Sequence, residues 1–357
     1  ITWIPIIARI FYDSRTALFL HLTTIFVLSV AVPHPFEFLI VQTAVGMVAV
    51  ASLKDLTRRA QLARTAGAIL LTYIVVYTGF KLATTGDWHQ LDWHEYCYFV
   101  LNALFILFSY GLIYIFEKLF HLLSSLTLVE LTDINSELMI NFAEKAPGSF
   151  QHSMQVSNLA TEAAKAVGAN SLLVRTGAMY HDIGKTLHPE FFTENQQDGH
   201  NPLLKMAPQE AAKVIICHVT DGVALAQKHH LPEVITHFIA SHHGTSLVRY
   251  FYNTAVNNGL NPDEQDYRYA GPKPGTKEAA ILMMADAVEA RSRSLSEFTE
   301  ESIRAAVTQM IDTQIADGQY AECPLSFRDV EVIRETFISR LTAINHHRIK
   351  YPELEKK

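Results

Sequence analysis

The chain has 357 residues, 49% of them apolar, with 29 Lys and Arg against 36 Asp and Glu and a formal charge of −7. That length accommodates two domains, and a net-acidic chain lacks the basic footprint that nucleic-acid binding requires. Its three cysteines, Cys97, Cys217 and Cys323, are scattered and form neither a disulfide framework nor a Cys-x-x-Cys metal motif.

Charge and hydropathy divide the chain. Residues 1–123 carry 8 basic against 7 acidic side chains and are dominated by apolar runs; residues 124–357 carry 21 against 29 and read as a polar, helix-forming domain. Trp3 to Ile10 resembles the tail of a membrane span, and the chain begins with Ile inside an apolar segment, so an upstream region is expected. Four runs then have the length of a bilayer crossing: Thr16 to Val32, Phe36 to Leu53, Ala66 to Ala83, and Tyr96 to about Phe120. Soluble helices show a polar face every turn, whereas Ala66 to Phe80 contains no charge.

Basic residues orient the spans. Arg9, Arg15 and the connector from Lys54 through Arg64 mark the cytoplasmic side, while the connector Thr84 to Glu95 has no Lys or Arg and two Trp. Lys81 stands on the other side and is expected to snorkel. The chain then returns to the cytoplasm near Lys118. His21 falls inside a span, and a neutral imidazole bonded to a neighbouring helix accounts for it. Leu122 to Met139 reads as a helical linker, giving boundaries of 1–123 (spans), 124–148 (linker) and 149–357 (catalytic domain).

The second domain holds 12 of the 17 histidines. Its segments have helical periodicity and few alternating strands, so the fold expected is all-α. His152 lies in a helix running to Val167. His181-Asp182 closes an apolar helix that starts near Ser171. His218 ends the run from Ala211, His242-His243 ends the run from Pro232, and Asp286 interrupts the apolar stripe Ala279 to Ala285. Imidazole nitrogens and carboxylate oxygens suit iron, manganese or zinc. A buried Asp286 is costly unless paired or ligating. Any single histidine, such as His237 or His346, has a bland explanation, but two adjacent pairs and three singles in apolar helices point to a metal site. His188, His200, His229, His230 and His347 stand beside polar residues and are left out with His346; Cys217 is assigned to core packing.

The order His, His-Asp, Asp resembles the HD-domain phosphohydrolases, and His218 with His242-His243 marks the dinuclear branch. The strings His181-Asp182-Ile183-Gly184-Lys185, Glu194-Asn195-Gln196, His218-Val219-Thr220-Asp221-Gly222, His242-His243-Gly244-Thr245, Tyr269-Ala270-Gly271-Pro272-Lys273-Pro274 and Ala285-Asp286-Ala287-Val288-Glu289-Ala290 closely resemble the bacterial seven-transmembrane HD family. The resemblance covers nearly the whole chain. It implies a transmembrane helix bundle followed by an all-helical HD domain, in a multi-pass protein of the bacterial cell membrane with its catalytic domain in the cytoplasm. It implies hydrolysis of cyclic di-AMP to linear pApA and two divalent ions, iron or manganese. It places one ion on His152, His181, Asp182 and Asp286, with Asp182 bridging to a second on His218, His242 and His243. Two departures stand out. Family members carry His-Asp where this chain has Leu203-Leu204, and the Gly-Tyr-Pro of cyclic di-GMP hydrolases is replaced by Gly244-Thr245-Ser246-Leu247.

Around this set, Asp182 and Lys185 are the catalytic candidates, and Lys185, Gly244, Thr245 and Arg291 the substrate-binding ones. Gly244 would admit substrate close to the backbone, and Tyr267 and Tyr269 either wall a purine or simply pack. The expected partners are a cyclic dinucleotide, the lipid bilayer and a second copy of the chain in a homodimer, with no nucleic acid. The rival readings are an HD phosphohydrolase acting on another nucleotide, such as cyclic di-GMP or guanosine tetraphosphate, and a membrane receptor that binds a nucleotide without cleaving it.

Overall fold

The computed structural model describes residues 1–53, 59–120, 122–196 and 201–344. The basic connector residues 54–58, His200, His346 and His347 lie outside them. Among the described residues every element is helical, apart from one isolated bridge between Leu247 and Arg268. The chain divides into two compact units, Ile1–Glu130 and Leu131–Lys357.

The first unit contains α1 (Trp3–Phe11), α2 (Ser14–Ser29), α3 (Pro35–Ser52), α4 (Arg59–Thr85), α5 (Trp93–Phe120) and most of α6 (Ser125–Leu131). Pro35–Ser52 and Ala60–Thr85 are long and apolar enough to cross a membrane, and α5, bent by 48° between Ser109 and Gly111, makes a third if its limbs form one span. The first expected span is shorter than its apolar run: α2 has 16 residues, about 24 Å at 1.5 Å per residue. Its helix stops because Pro33 and Pro35 follow closely and disfavour helical backbone before them. Apolar residues lie both inside and outside this bundle. Val45, Ala49, Ile69, Tyr73 and Ile106 form its interior, while Phe19, Phe26, Leu71, Val75 and Phe108 are exposed, as expected for a surface solvated by lipid tails.

Several polar groups inside this bundle are paired across helices. The Thr2 and Tyr73 hydroxyls lie 2.9 Å apart, Tyr73 donates to Gln42 Oε1 at 3.1 Å, and Asn102 Nδ2 donates to the Tyr73 hydroxyl at 3.1 Å. His21 is fully buried, with Nε2 2.8 Å from the Gln42 carbonyl, so the bonded imidazole expected from sequence is found. Lys81 does not snorkel alone. It pairs with Glu37 Oε2 on α3 at 2.8 Å, which offsets its charge at a helix end.

The linker differs from its expected form. It is two helices, α6 and α7 (Glu137–Lys145), interrupted at 132–136, where Asp133 turns the chain by accepting from the Asn135 amide at 2.9 Å.

The second unit then lays down α8 (Pro147–Ala166), α9 (Ser171–Tyr180), α10 (Pro208–Lys228), α11 (Glu233–Ser241), α12 (Arg249–Asn257), α13 (Lys277–Arg293), α14 (Glu300–Ala316) and α15 (Phe327–Ile344). Local chemistry sets their starts. Pro147 and Pro208 occupy first turns, and Asn170 and Thr276 accept from the Leu173 and Ala279 amides. The core joins α8, α9, α13, α14 and α15 through Val156, Val174, Ile281, Met284, Val307 and Phe337. Each large side chain buried there contributes about 1.5–3 kcal/mol. The α10 helix buries a narrow stripe of Ala211, Ala212, His218, Val219, Gly222 and Ala226. Cys217 falls off that stripe and is exposed, not packed in the core.

Candidate metal centre

The seven histidine and aspartate candidates converge from α8, α10, α13 and the C-terminal ends of α9 and α11. His152 is in the second turn of α8, His181-Asp182 follows the last residue of α9, and His242-His243 follows α11. The approach of α10 to the His181-Asp182 turn depends on Gly184. A Cβ there would stand 1.9 Å from the His218 carbonyl oxygen, so any side chain would push α10 away.

Asp182 stands between two groups of nitrogens. Its Oδ2 lies 3.2 Å from His181 Nε2 and 3.8 Å from His152 Nε2; its Oδ1 lies 3.5 Å from His218 Nε2 and 3.7 Å from His242 Nε2. Asp286 Oδ1 is 2.8 Å from His152 Nε2 and 3.7 Å from His181 Nε2, and its Oδ2 is 3.7 Å from His243 Nδ1. Ligand atoms of His152, His181 and Asp286 lie within 4.8 Å of one another, as do those of His218, His242 and His243, and of His181, Asp182 and His242. That spread is close to twice a metal–ligand bond of about 2.1 Å.

The imidazoles are aimed by bonds on their far side. His181, His218 and His242 direct Nδ1 at the carbonyls of Ala178, Ile215 and Ile239, at 2.7, 2.6 and 2.7 Å. Each thereby donates Nδ1–H to the backbone and turns the Nε2 lone pair inward. His152 is held by a carboxylate instead: Nδ1 lies 2.5 Å from Glu289 Oε2, and Arg293 Nε donates to Glu289 Oε1 at 2.7 Å.

The electrostatics leave polar atoms in want of a cation. Asp182 is 1% exposed, and neither of its carboxylate oxygens has a hydrogen bond; His181 Nε2 is equally unsatisfied. Lys185 Nζ approaches Asp182 Oδ2 at 2.8 Å as an ion pair without hydrogen-bond alignment. Burial opposes charge on both aspartates. The positive charges of His181 and Lys185 nevertheless hold Asp182 well below the usual carboxylate range, and the hydrogen bond from His152 and the positive charge of His181 do the same for Asp286. Burial pushes His218 down to about 4, His243 to about 3 and His242 also well down. Burial also pulls on His152 and His181, but their carboxylate neighbours outweigh it and lift them to about 8 and about 10. Neutral inward nitrogens beside a buried, unsatisfied carboxylate fit a divalent cation, which would replace the protons held by His152 and His181.

A cavity of about 700 Å³ opens from this cluster, lined among others by His152, His242, His243 and Asp286. Lys185 lines it too and is no surface lysine. Nζ donates to Glu194 Oε1 at 2.9 Å and lies over the Phe192 ring, and Glu194 in turn accepts from the Ser149 hydroxyl at 2.8 Å. Arg291 is exposed on the cavity wall, where it donates to Ser294 Oγ, and Arg249 lines the same space. Gly244 and Thr245 do not line it. Gly244 has φ +51°, and a Cβ there would stand 2.3 Å from Gln319 Oε1, while Thr245 is bonded to the same amide. Tyr269 packs on the His243 ring at a centroid distance of 4.3 Å, and Tyr267 is buried in a small core with Leu203. Both tyrosines are packed against neighbouring side chains, and Leu203 lies in the same apolar cluster as Tyr267. Glu289, Arg293 and Gln319 carried no signal that singled them out in the sequence, although Glu289 sits about one turn after Asp286 on the same helix.

A family model described as a 7TM receptor with intracellular HD hydrolase matches residues 1–124, and an HD-domain model matches residues 149–291. The chain is 39% identical over 311 residues to the cyclic-di-AMP phosphodiesterase PgpH of Listeria monocytogenes, covering 86% of this chain and 43% of that one. It is 42% identical over 247 residues to PgpH of Bacillus subtilis, covering 69% and 35%. It thus spans less than half the length of these curated relatives. The crystal structure of the Listeria monocytogenes PgpH HD domain in complex with cyclic-di-AMP superimposes with a TM-score of 0.58 at 43% identity, covering 60% of this chain and all of that one. With a helical unit matched to the seven-transmembrane model and an HD domain whose buried His/Asp cluster fits a divalent metal, the chain belongs to the seven-transmembrane HD hydrolase family, membrane proteins that carry an HD domain.

Proposed function

We propose that this chain is the membrane-anchored catalytic part of a phosphodiesterase that opens cyclic di-AMP to linear pApA with two metal ions, iron or manganese. The observation that carries the reading is Asp182, whose two buried oxygens accept no hydrogen bond and face different histidine groups, with Oδ2 also ion-paired to Lys185. In this reading His152, His181, Asp182 and Asp286 hold one ion and Asp182, His218, His242 and His243 the other. Bound there, the ions would supply an acidified water and neutralise charge on the phosphate.

The chain's own residues prepare that chemistry. The backbone carbonyls and Glu289 lock the imidazole orientations, so little reorganisation is needed. Lys185 presents a fixed positive charge on the cavity wall, raised above its ordinary range by Asp182 and Glu194 against the pull of burial. It is positioned to meet a non-bridging phosphate oxygen. Arg291 offers a second cation farther along the wall. A cavity of about 700 Å³ suits a ligand the size of a dinucleotide. The adenine preference rests on the relatives that act on or bind cyclic di-AMP and on the missing Gly-Tyr-Pro segment. The cytoplasmic side is supported by Arg9, Arg15 and the basic connector.

The test is turnover by the purified chain with Mn²⁺ or Fe²⁺ and a panel of cyclic dinucleotides. Cyclic di-AMP is expected to be opened to pApA with a kcat/KM roughly 100-fold above that for cyclic di-GMP, since leaving a buried polar group unpaired costs about 1–3 kcal/mol. Equal values, or preference for the guanine form, would overturn the substrate assignment.

A further inference from the structure

The turn that carries His242 and His243 is fixed by a side chain 74 residues away. Gln319 is fully buried. Its Oε1 accepts from the Thr245 amide at 2.9 Å, and its Nε2 donates to Thr245 Oγ1 at 3.1 Å and to Asp317 Oδ2 at 2.8 Å. Asp317 is gripped by Arg268 through both guanidinium nitrogens, at 3.1 and 3.0 Å, and Arg268 Nη1 also donates to the Thr245 carbonyl at 2.7 Å. Both backbone polar groups of Thr245 are therefore held. Ser246 accepts from the Tyr269 amide at 3.0 Å, on the residue whose ring packs against His243. The left-handed Gly244 completes the arrangement, because only a residue without a Cβ leaves room for the Gln319 carbonyl.

We propose that Gln319 is a positioning residue for the His218, His242 and His243 half of the metal site: a buried amide latch that sets the angle at which the 242–245 turn leaves α11. This rests on the two-ion reading given above. The latch makes no bond to His152, His181 or Asp286, which stand on or beside α8, α9 and α13; His181 keeps its carbonyl support and His152 its carboxylate. Its loss is expected to loosen one ion and spare the other. A buried glutamine in the last turn before α15 would otherwise be a poor choice, since an amide without partners is costly inside a protein.

The test uses the whole chain in detergent, with Gln319→Leu, which keeps the volume and removes the bonds. Amide exchange on the metal-free chain reads the latch without any metal: Thr245 is expected to exchange roughly tenfold or more faster, with α8 and α13 unchanged. Metal analysis is expected to fall from two ions to about one. The kcat for the cyclic dinucleotide should fall roughly 10–100-fold, the usual cost of losing ligand support, with KM within about threefold. Unchanged Thr245 exchange, or faster exchange with wild-type metal content and kcat, overturns the latch. If the wild-type chain itself holds one ion, the two-ion reading fails, and the latch is judged on exchange and kcat. If the leucine chain does not fold, Gln319→Met, which keeps the length of the side chain and removes its amide, is read for the same shifts.

Discussion

Replacing Glu289 with alanine removes the carboxylate behind His152 and nothing that would touch an ion. Glu289 is 2% exposed, bonded to His152 Nδ1 at 2.5 Å and to Arg293 Nε at 2.7 Å. In the alanine variant the His152 Nδ1–H stays buried without a partner, a cost of about 1–3 kcal/mol. The ring also becomes free to rotate its Nε2 away from Asp286. Loss of such a support weakens metal binding by about 10–100-fold, or about 1.4–2.8 kcal/mol at 1.4 kcal/mol per decade, so the two estimates agree. The assay is Mn²⁺ binding by calorimetry together with the Mn²⁺ concentration for half-maximal hydrolysis. Glu289→Gln, which still offers an oxygen to Nδ1, is expected to lose no more than about tenfold. An affinity for Glu289→Ala within twofold of wild type would refute the reasoning.

Further outcomes follow from the same geometry. Asp182→Ala is expected to abolish turnover and deplete both ions, whereas His218→Ala depletes mainly one; two ions retained in Asp182→Ala by metal analysis would break the assignment. In the metal-free chain His152, at about 8, and His181, at about 10, are protonated at pH 7, while His218 and His243, at about 4 and 3, are not. Loading at pH 7 is therefore expected to release about two protons, and metal affinity to rise with pH up to about 8, less steeply to about 10, and then level. Calorimetry in buffers of different ionisation enthalpy reads the proton count, and none released would contradict the pairing. For stability the signs are opposite. The His152 and His181 contributions are complete below the unfolded value of about 6.5 and fade as pH rises through 8 and 10. Burial of neutral His218 and His243 instead costs stability as pH falls from about 6.5 towards 4. Finally, the isolated Leu131–Lys357 unit is expected to fold, bind metal and hydrolyse, because every candidate ligand lies within it; a folded, metal-loaded fragment without turnover would show that the first unit completes the site.

That these seven side chains would converge was legible because burial and polarity conflict at their positions. Asp286 inside Ala279 to Ala285, and His242-His243 at the end of an apolar helix, make sense only with partners. The start of α9 was legible near Ser171, whereas the run read from Ala211 missed the first residues of α10, which begins at Pro208. What escaped depended on distant contacts. Gln319 looks like any loop glutamine until Thr245 is placed beside it, and Glu289 looks like a helix-surface acid until α8 brings His152 against it. Lys81 read as a lone charge because Glu37, its partner, is 44 residues away. Apolar composition ran past the end of α2, and the helical pattern of the linker was read through the polar break at 132–136, since neither records where a proline or an aspartate turn stops a helix. Cys217 was misplaced because the buried stripe of α10 is only a few small residues wide.

The most direct test of the central claim is a crystal structure of the Leu131–Lys357 unit grown with Mn²⁺, with anomalous difference density recorded to locate the ions. The account predicts two peaks, one on each side of the Asp182 carboxylate. One should be bounded by His152, His181 and Asp286, and the other by His218, His242 and His243. A single peak, or two peaks that leave Asp182 outside their coordination, would contradict it.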